Sequence, residues 1–119
     1  PHLSGAEQEK VRIDLGALLP EIKEVQKGMR ATVTSVMGTA KLMNDLPFAV
    51  AAKTGSAQIQ NNAAENAFFV GYAPYENPQI AILVLIERSK EGSLNAVPIA
   101  KDVLAWYYEN RIKNTVSSK

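Results

Sequence analysis

The sequence has 119 residues, of which 46% are hydrophobic and 21% are charged, and it contains no cysteine. This length suits one compact domain, and the apolar fraction excludes wholesale disorder. The formal charge of +1 argues against a dedicated nucleic-acid-binding protein, while one histidine and no cysteine argue against a zinc or iron–sulfur site, so that neither metal nor cofactor is expected.

The first 43 residues divide into a loop and a helical stretch. Residues 1–19 lack a sustained period and predict a loop, with a short strand around 11–13. Helical structure is predicted over 20–43, because Pro20 suits the first helical turn and Gly38 favours an interruption before one more short turn. The apolar stripe of the main helix comprises Ile22, Val25, Met29, Val33 and Val36.

The region 48–87 predicts three strands, over 48–54, 66–73 and 79–86. The short connections between them favour antiparallel hairpins over crossovers. Residues 80–86 are apolar at every position, which is typical of a strand covered on both faces. Two predicted helices are few for covering both faces of this sheet, so part of it is expected to be exposed or to meet another chain segment.

A second helix is predicted over 95–112, after a polar loop. Asn95 is a candidate helix cap, and Pro98 falls in the first turn, where proline is tolerated. The order helix, strand, strand, strand, helix predicts an α+β fold with an antiparallel sheet flanked by helices. The predicted inward face of the last helix comprises Ile99, Val103, Trp106 and Tyr107.

The residues with the clearest chemical potential are Lys53-Thr54-Gly55-Ser56. In an extended strand Thr54 and Ser56 point to one side, and Lys53 points to the other unless a bulge at Gly55 redirects it. Two hydroxyls, an ammonium and exposed backbone N–H groups form a candidate site for a carboxylate or a developing oxyanion. The same four residues also occur in solvated turns, so a small α+β binding module without catalysis is an alternative.

The surroundings of this motif add information. Ala57-Gln58 follows it, the next strand contains Ala67-Phe68-Phe69-Val70-Gly71-Tyr72-Ala73-Pro74, and the last helix opens with Ala96-x-Pro98-Ile99-Ala100. Upstream lie Gly28-Met29-Arg30-x-Thr32-Val33-Thr34 and Gly38-Thr39-Ala40. This succession resembles the C-terminal part of the transpeptidase domain of penicillin-binding proteins, whose signature includes Lys-Thr-Gly. Ala57-Gln58 is most similar to the class B, monofunctional branch.

The resemblance implies a role for each residue of the motif. Lys53 would lie in the active site as a catalytic residue that assists proton transfer and pairs with the serine of a Ser-x-Asn motif. Thr54 and Ser56 would bind the carboxylate of a stem peptide or a β-lactam, and Gly55 would allow its close approach. The backbone N–H of Ser56 would be one of two oxyanion donors. Serine replaces the more usual threonine at this fourth position, which keeps the hydroxyl.

Two motifs of this family are missing or misplaced. None of the seven serines is followed three residues later by lysine, so the nucleophile motif Ser-x-x-Lys is absent. Ser93-Leu94-Asn95 matches Ser-x-Asn in spelling, but it follows the Lys-Thr-Gly strand, whereas the family places it before, and we interpret it as a helix cap. The chain by itself is therefore expected to be inactive.

The resemblance implies a segment of a larger penicillin-binding and serine β-lactamase-like fold. The intact enzyme would be a D,D-transpeptidase that cross-links peptidoglycan, with stem peptides, β-lactams and the missing N-terminal part of the protein as its partners. The chain begins at Pro1 without methionine, which agrees with that expectation. The family also implies the extracytoplasmic face of the bacterial membrane, with the anchor outside this chain. A β-lactamase or a β-lactam sensor remains an alternative.

Overall fold

A computed structural model of the chain describes residues 10–59, 64–89 and 95–114. It confirms the α+β class, with a three-stranded antiparallel sheet, whose strands are adjacent in chain order, and two α-helices. Short 3-10 turns precede and follow the first helix, and a π-helical turn, Tyr108–Ile112, follows the second. The main elements are α1 (Leu19–Thr34), β1 (Ala51–Ile59), β2 (Ala64–Ala73), β3 (Ile80–Ser89) and α2 (Ala96–Tyr107).

The sheet consists of two antiparallel strand pairs, β1 with β2 and β2 with β3. β1 pairs with β2 from Ala51 opposite Tyr72 to the far end of the strand, without an interruption. The β2–β3 pairing carries one irregularity, where Arg88 adopts a positive φ of 53° and donates its N–H to Asn66 Oδ1 at 3.1 Å. Because β2 is central, β1 is an outer strand of the described sheet.

One face of the sheet forms the hydrophobic core. Phe69 lies at its centre and is fully buried, opposite Thr54 on one side and Val84 on the other. α2 covers this face with small and branched side chains, and Val33 of α1 and Met43 join the same cluster. We call this side the packed face. The α2 residues buried there are Ala96, Val97, Ala100 and Leu104.

The opposite side of the sheet, which we call the open face, is apolar but largely uncovered. Leu83 is 68% exposed, and Val70 and Leu85 are also exposed. Alternation puts all three on the side away from Phe69. Among the described residues β3 is therefore covered on one face only, and the expectation that part of the sheet is exposed is met.

α2 buries a face other than the predicted one, and α1 buries only part of its predicted stripe. Of the five stripe residues of α1 only Val33 is fully buried, and Val25 and Val36 are exposed, because α1 packs through its C-terminal half. In α2, Ile99, Val103 and Trp106 are exposed. The physical reason is size: the small Ala96 and Ala100 allow the helix to approach the sheet closely.

Other sequence expectations need correction at the ends of elements. Residues 11–13 form no strand, because they have no neighbouring strand in the described structure to pair with. The interruption predicted at Gly38 lies between α1 and the 3-10 turn Lys41–Asp45, which ends two residues beyond the predicted position 43. Asn95 lies at the N-cap position of α2 but makes no capping hydrogen bond within the described residues; its Nδ2 donates to Ser89 Oγ at 2.8 Å instead. Ser93 and Leu94 lie outside the described residues.

Two side-chain contacts fix the start of β1. Arg30 of α1 donates from Nη1 to the carbonyl oxygen of Val50 at 2.8 Å, directly before the strand begins. Asn44 Nδ2 donates to the carbonyl of Val33 at 2.7 Å and joins the 3-10 turn to the end of α1. The first residues of the strand are therefore positioned by the preceding helical segment as well as by β2.

Across 10–59, 64–89 and 95–114, no helix combines the length and hydropathy needed to cross a bilayer.

Candidate active site

The motif singled out in the sequence lies in the middle of β1. Lys53, Thr54, Gly55 and Ser56 pair in order with Val70, Phe69, Phe68 and Ala67 of β2. The register has no bulge here, so strict alternation holds: Thr54 and Ser56 lie on the packed face, and Lys53 and Gly55 lie on the open face. The sequence expectation that the two hydroxyls share a side is correct.

The outer edge of β1 is a second feature of this site. In the described sheet β1 has a strand neighbour on one side only. An antiparallel edge strand directs the N–H and C=O of every other residue away from its partner. Within the described ranges, backbone donors and acceptors at the motif are therefore available to a strand-like or anionic ligand.

Thr54 is the buried member of the motif. It is 6% exposed, and its Oγ1 lies 2.6 Å from Oγ1 of Thr39, in the loop between α1 and the 3-10 turn. A buried hydroxyl requires a hydrogen-bond partner, and Thr39 supplies one. The Thr54 side chain is consequently held in one orientation, while Ser56, two residues further along the same face, is exposed.

Lys53 is exposed on the other face. Its Nζ donates to the backbone carbonyl of Thr54, so the side chain folds back along its own strand. None of the ion pairs in the described parts of the chain involves Lys53. Among the described residues, the hydrogen bond of Lys53 Nζ goes to this backbone carbonyl and not to a serine hydroxyl.

Gly55 stands in open space. Among the described residues, no atom lies within 4 Å of a Cβ built on Gly55. By contrast, a Cβ on Gly71 would lie 2.9 Å from the Ala51 carbonyl oxygen and 3.0 Å from the Phe69 ring. The described fold therefore explains the glycine at 71 but not the one at 55, and the space above Gly55 is available for a ligand.

The loop that carries Thr39 was missed as part of the site by sequence reasoning. Gly38-Thr39-Ala40 contributed to the resemblance, but fifteen residues separate Thr39 from Thr54 and no spacing rule joins a loop to a strand. Thr39 also borders two shallow surface grooves of about 350 and 290 Å³. No group of three or more histidine, aspartate or glutamate residues with metal-binding geometry occurs in the part of the chain that the structure describes.

A comparison with protein families matches residues 20–105 to the penicillin-binding protein transpeptidase domain. Among curated proteins, the peptidoglycan D,D-transpeptidase MrdA of Haemophilus influenzae is 33% identical, with 73% of this chain and 16% of that protein covered. MrdA of Acinetobacter baumannii is 32% identical, with 74% of this chain and 15% of that protein covered. This chain thus spans about one-sixth of the length of these relatives.

Solved structures give the same result. Pseudomonas aeruginosa PBP2, solved in complex with WCK 5153, is 38% identical with a TM-score of 0.62, over 71% of this chain and 18% of that one. Helicobacter pylori PBP2, solved in complex with MreC, has a TM-score of 0.73 at 22% identity, over 92% of this chain and 21% of that one. The second likeness concerns the fold alone.

Proposed function

The chain belongs to the class B penicillin-binding protein transpeptidase family, and from that premise we propose that it forms one wall of the active site of a peptidoglycan D,D-transpeptidase. The observation that carries the proposal is the position of Lys53-Thr54-Gly55-Ser56 on an outer strand with no described strand at its edge. Because the sequence contains no Ser-x-x-Lys, the nucleophilic serine is proposed to come from outside these 119 residues.

The proposed reaction is acyl transfer through that serine. Its oxygen attacks the carbonyl carbon of a D-Ala–D-Ala bond, the C–N bond breaks, and the terminal D-Ala leaves with the proton. The amine of a second stem peptide then attacks the acyl ester and releases the serine. A β-lactam enters the first step, but its leaving nitrogen stays tethered, so the acyl-enzyme persists as a covalent adduct.

β1 would contribute three kinds of interaction to this reaction. The N–H of Ser56 would donate to the oxyanion, and the hydroxyls of Thr54 and Ser56 would donate to the substrate carboxylate. Gly55 has no side chain, so the substrate backbone would approach the strand closely at this position. The ammonium of Lys53 would assist proton transfer. Because β1 is an outer strand, the long side chain of Lys53 would reach the ligand around the strand edge.

The direct test uses a labelled penicillin and two proteins, the full-length gene product and the 119-residue chain. The full-length protein should form one covalent adduct per molecule, and the chain alone should form none because it lacks the nucleophile. A stoichiometric adduct on the chain alone would contradict the proposal. Rapid release of the acyl group from the full-length protein would instead indicate a β-lactamase.

A substitution assigns the lysine. In the full-length protein Lys53→Ala should slow acylation at least about 100-fold, the scale of a lost proton-transfer group. Lys23→Ala is a matched control, because Lys23 is an exposed lysine on α1. Equal acylation rates in the two variants would remove Lys53 from the site.

We likewise propose an extracytoplasmic location, because the proposed substrate is the peptidoglycan outside the cell membrane.

A further inference from the structure

The hydroxyl groups of Thr39 and Thr54 form a hydrogen bond that has no part in the proposed roles of the motif. Thr54 is almost fully buried, whereas Thr39 is exposed, and their oxygen atoms lie 2.6 Å apart. A separation this short is typical of a well-formed O–H···O hydrogen bond. Either oxygen can be the donor, so the pair can run in two directions.

The backbone around Thr39 is fixed on both sides. The Gly38 N–H donates to the Ser35 carbonyl at 2.9 Å, and the Ala40 N–H donates to the Thr32 carbonyl at 3.1 Å. A Cβ on Gly38 would lie 2.2 Å from the Thr32 carbonyl oxygen, so only glycine fits at that position. The loop therefore delivers the Thr39 hydroxyl to a set place beside β1.

We propose that Thr39 is a positioning residue for carboxylate recognition, which it performs by donating its hydroxyl proton to Thr54 Oγ1. The inference rests on the proposed function, in which Thr54 contacts the carboxylate of the substrate or β-lactam. An ionised carboxylate accepts hydrogen bonds and cannot donate them. Thr54 must then donate its single proton to the ligand, and its oxygen accepts from Thr39.

Carboxylate binding thus sets the direction of the pair, from Thr39 through Thr54 to the ligand. Hydrogen bonds in such a chain polarise one another, so the Thr39 donor strengthens the bond from Thr54 to the carboxylate. Without the Thr39 hydroxyl, the Thr54 side chain loses the contact that holds its orientation. Ligands that carry the carboxylate should be affected, whereas otherwise identical ligands without it should not.

The experiment compares a penicillin with its methyl ester as acylating agents of the full-length protein. Thr39→Val removes the hydroxyl at nearly constant volume, and Thr39→Ser keeps it. Thr34→Val is the control, since Thr34 is an exposed threonine on α1 whose hydroxyl donates to the Arg30 carbonyl at 3.2 Å. The readout is the ratio of the two acylation rates within each protein, which does not depend on the fraction of protein that is folded.

Thr39→Val should lower the rate with the free acid about three- to tenfold, as expected for one neutral hydrogen bond, and change the rate with the ester less than about twofold. Thr39→Ser and Thr34→Val should keep the wild-type ratio. Thr54→Val should lower the rate with the free acid at least as much, because it removes the hydrogen bond to the carboxylate itself, and adding Thr39→Val to it should cause little further change, because the two hydroxyls act in series.

Three results would overturn the inference. An unchanged ratio in Thr39→Val would mean that Thr39 positions nothing at the carboxylate. An equal loss with acid and ester would mean a purely structural role. Additive losses in the double variant would mean that the two threonines act separately. If the wild-type protein forms no adduct with either compound, the proposed function itself fails, and that outcome is distinct because it appears before any substitution.

Discussion

The two faces of the sheet differ in cover but not in composition. Phe69 on the packed face is fully buried, while Leu83 on the open face is 68% exposed, although both belong to apolar strands. The difference arises because α2 and the segment around Met43 both lie on one side. The motif on β1 is divided between these faces: Thr54 is buried and hydrogen-bonded to Thr39, whereas Lys53 is exposed and Gly55 has no described neighbour above it.

The largest expected effect of this difference in burial comes from truncating one large side chain on each face. Phe69→Ala should lower the free energy of unfolding by about 3–5 kcal/mol, because it leaves a cavity in the core. Leu83→Ala should change it by less than about 1 kcal/mol in the 119-residue chain, because most of the side chain is already in water. Urea denaturation of both variants measures the difference.

The same two substitutions test, in the full-length protein, whether the open face is covered there. If another segment covers the open face there, the cost of Leu83→Ala should rise to about 2–5 kcal/mol, the range for a buried leucine. The cost of Phe69→Ala should stay the same. Equal costs for the two substitutions in the 119-residue chain would mean that the open face is already covered in that chain.

A smaller effect is expected from the two glycines. Gly71→Ala should destabilise the protein by about 1–3 kcal/mol, since the new methyl group would press on the Ala51 carbonyl and the Phe69 ring. Gly55→Ala should leave stability unchanged or raise it by up to about 1 kcal/mol, because the added Cβ meets nothing and the unfolded chain becomes less free.

Thermal melting and penicillin acylation together test the glycine prediction. Gly55→Ala should retain the wild-type melting temperature and lose acylation. Gly71→Ala should have a lower melting temperature than the wild type. A Gly55→Ala variant with full acylation would show that the open space above the strand is not used by the ligand. That result would leave the fold interpretation intact.

The sequence predicts much of this fold because its signals are local. Apolar runs and the short connections between them predicted the three antiparallel strands, and the spacing of Thr54 and Ser56 predicted their common side. The buried face of α2 was predicted wrongly, because hydropathy favours Trp106, which is 57% exposed, over Ala100, which is buried. Helix burial depends on which surface can approach the sheet, and small residues decide that approach.

The candidate site was predictable only in part for a similar reason. Lys53-Thr54-Gly55-Ser56 is contiguous and therefore visible as a motif. The contact of Thr54 with Thr39 joins a strand to a loop, and the contact of Arg30 with the Val50 carbonyl joins a helix to the start of that strand. Such pairs are set by tertiary packing, which a spacing rule within one element does not describe.

The attachment of α2 to the packed face gives a third, smaller prediction. Asn95→Ala removes the hydrogen bond to Ser89 Oγ and should lower the free energy of unfolding by about 1 kcal/mol. Asn110→Ala is the control, because the exposed Asn110 donates to the Trp106 carbonyl within the same helical segment; it should cost less than about 0.5 kcal/mol. Equal urea midpoints for these two variants would contradict a role of Asn95 in joining β3 to α2.

The smallest effect concerns a buried hydroxyl on the open face. Tyr72 stacks with Tyr75 at 6.3 Å, and its hydroxyl has no hydrogen-bond partner among the described residues. Tyr72→Phe should therefore leave stability at pH 7 unchanged or raise it by about 1 kcal/mol, since removing an unsatisfied hydroxyl removes its desolvation cost. A loss of more than about 1 kcal/mol would mean that the hydroxyl has a partner in solution.

The pH dependence of the unfolding free energy of the same variant tests whether the Tyr72 side chain is buried. Burial, followed by the nearby Tyr75, raises the pKa of Tyr72 above its ordinary value of 10.0. The folded state then holds a proton that the unfolded state releases, so stability present below pH 10 is lost as the pH rises toward the folded pKa. Because Tyr72→Phe removes this titration, the difference in unfolding free energy between variant and wild type should grow in favour of the variant above pH 10. A constant difference across that range would mean that the Tyr72 ring is solvated, and the open face would then reach further along β2 than the structure indicates.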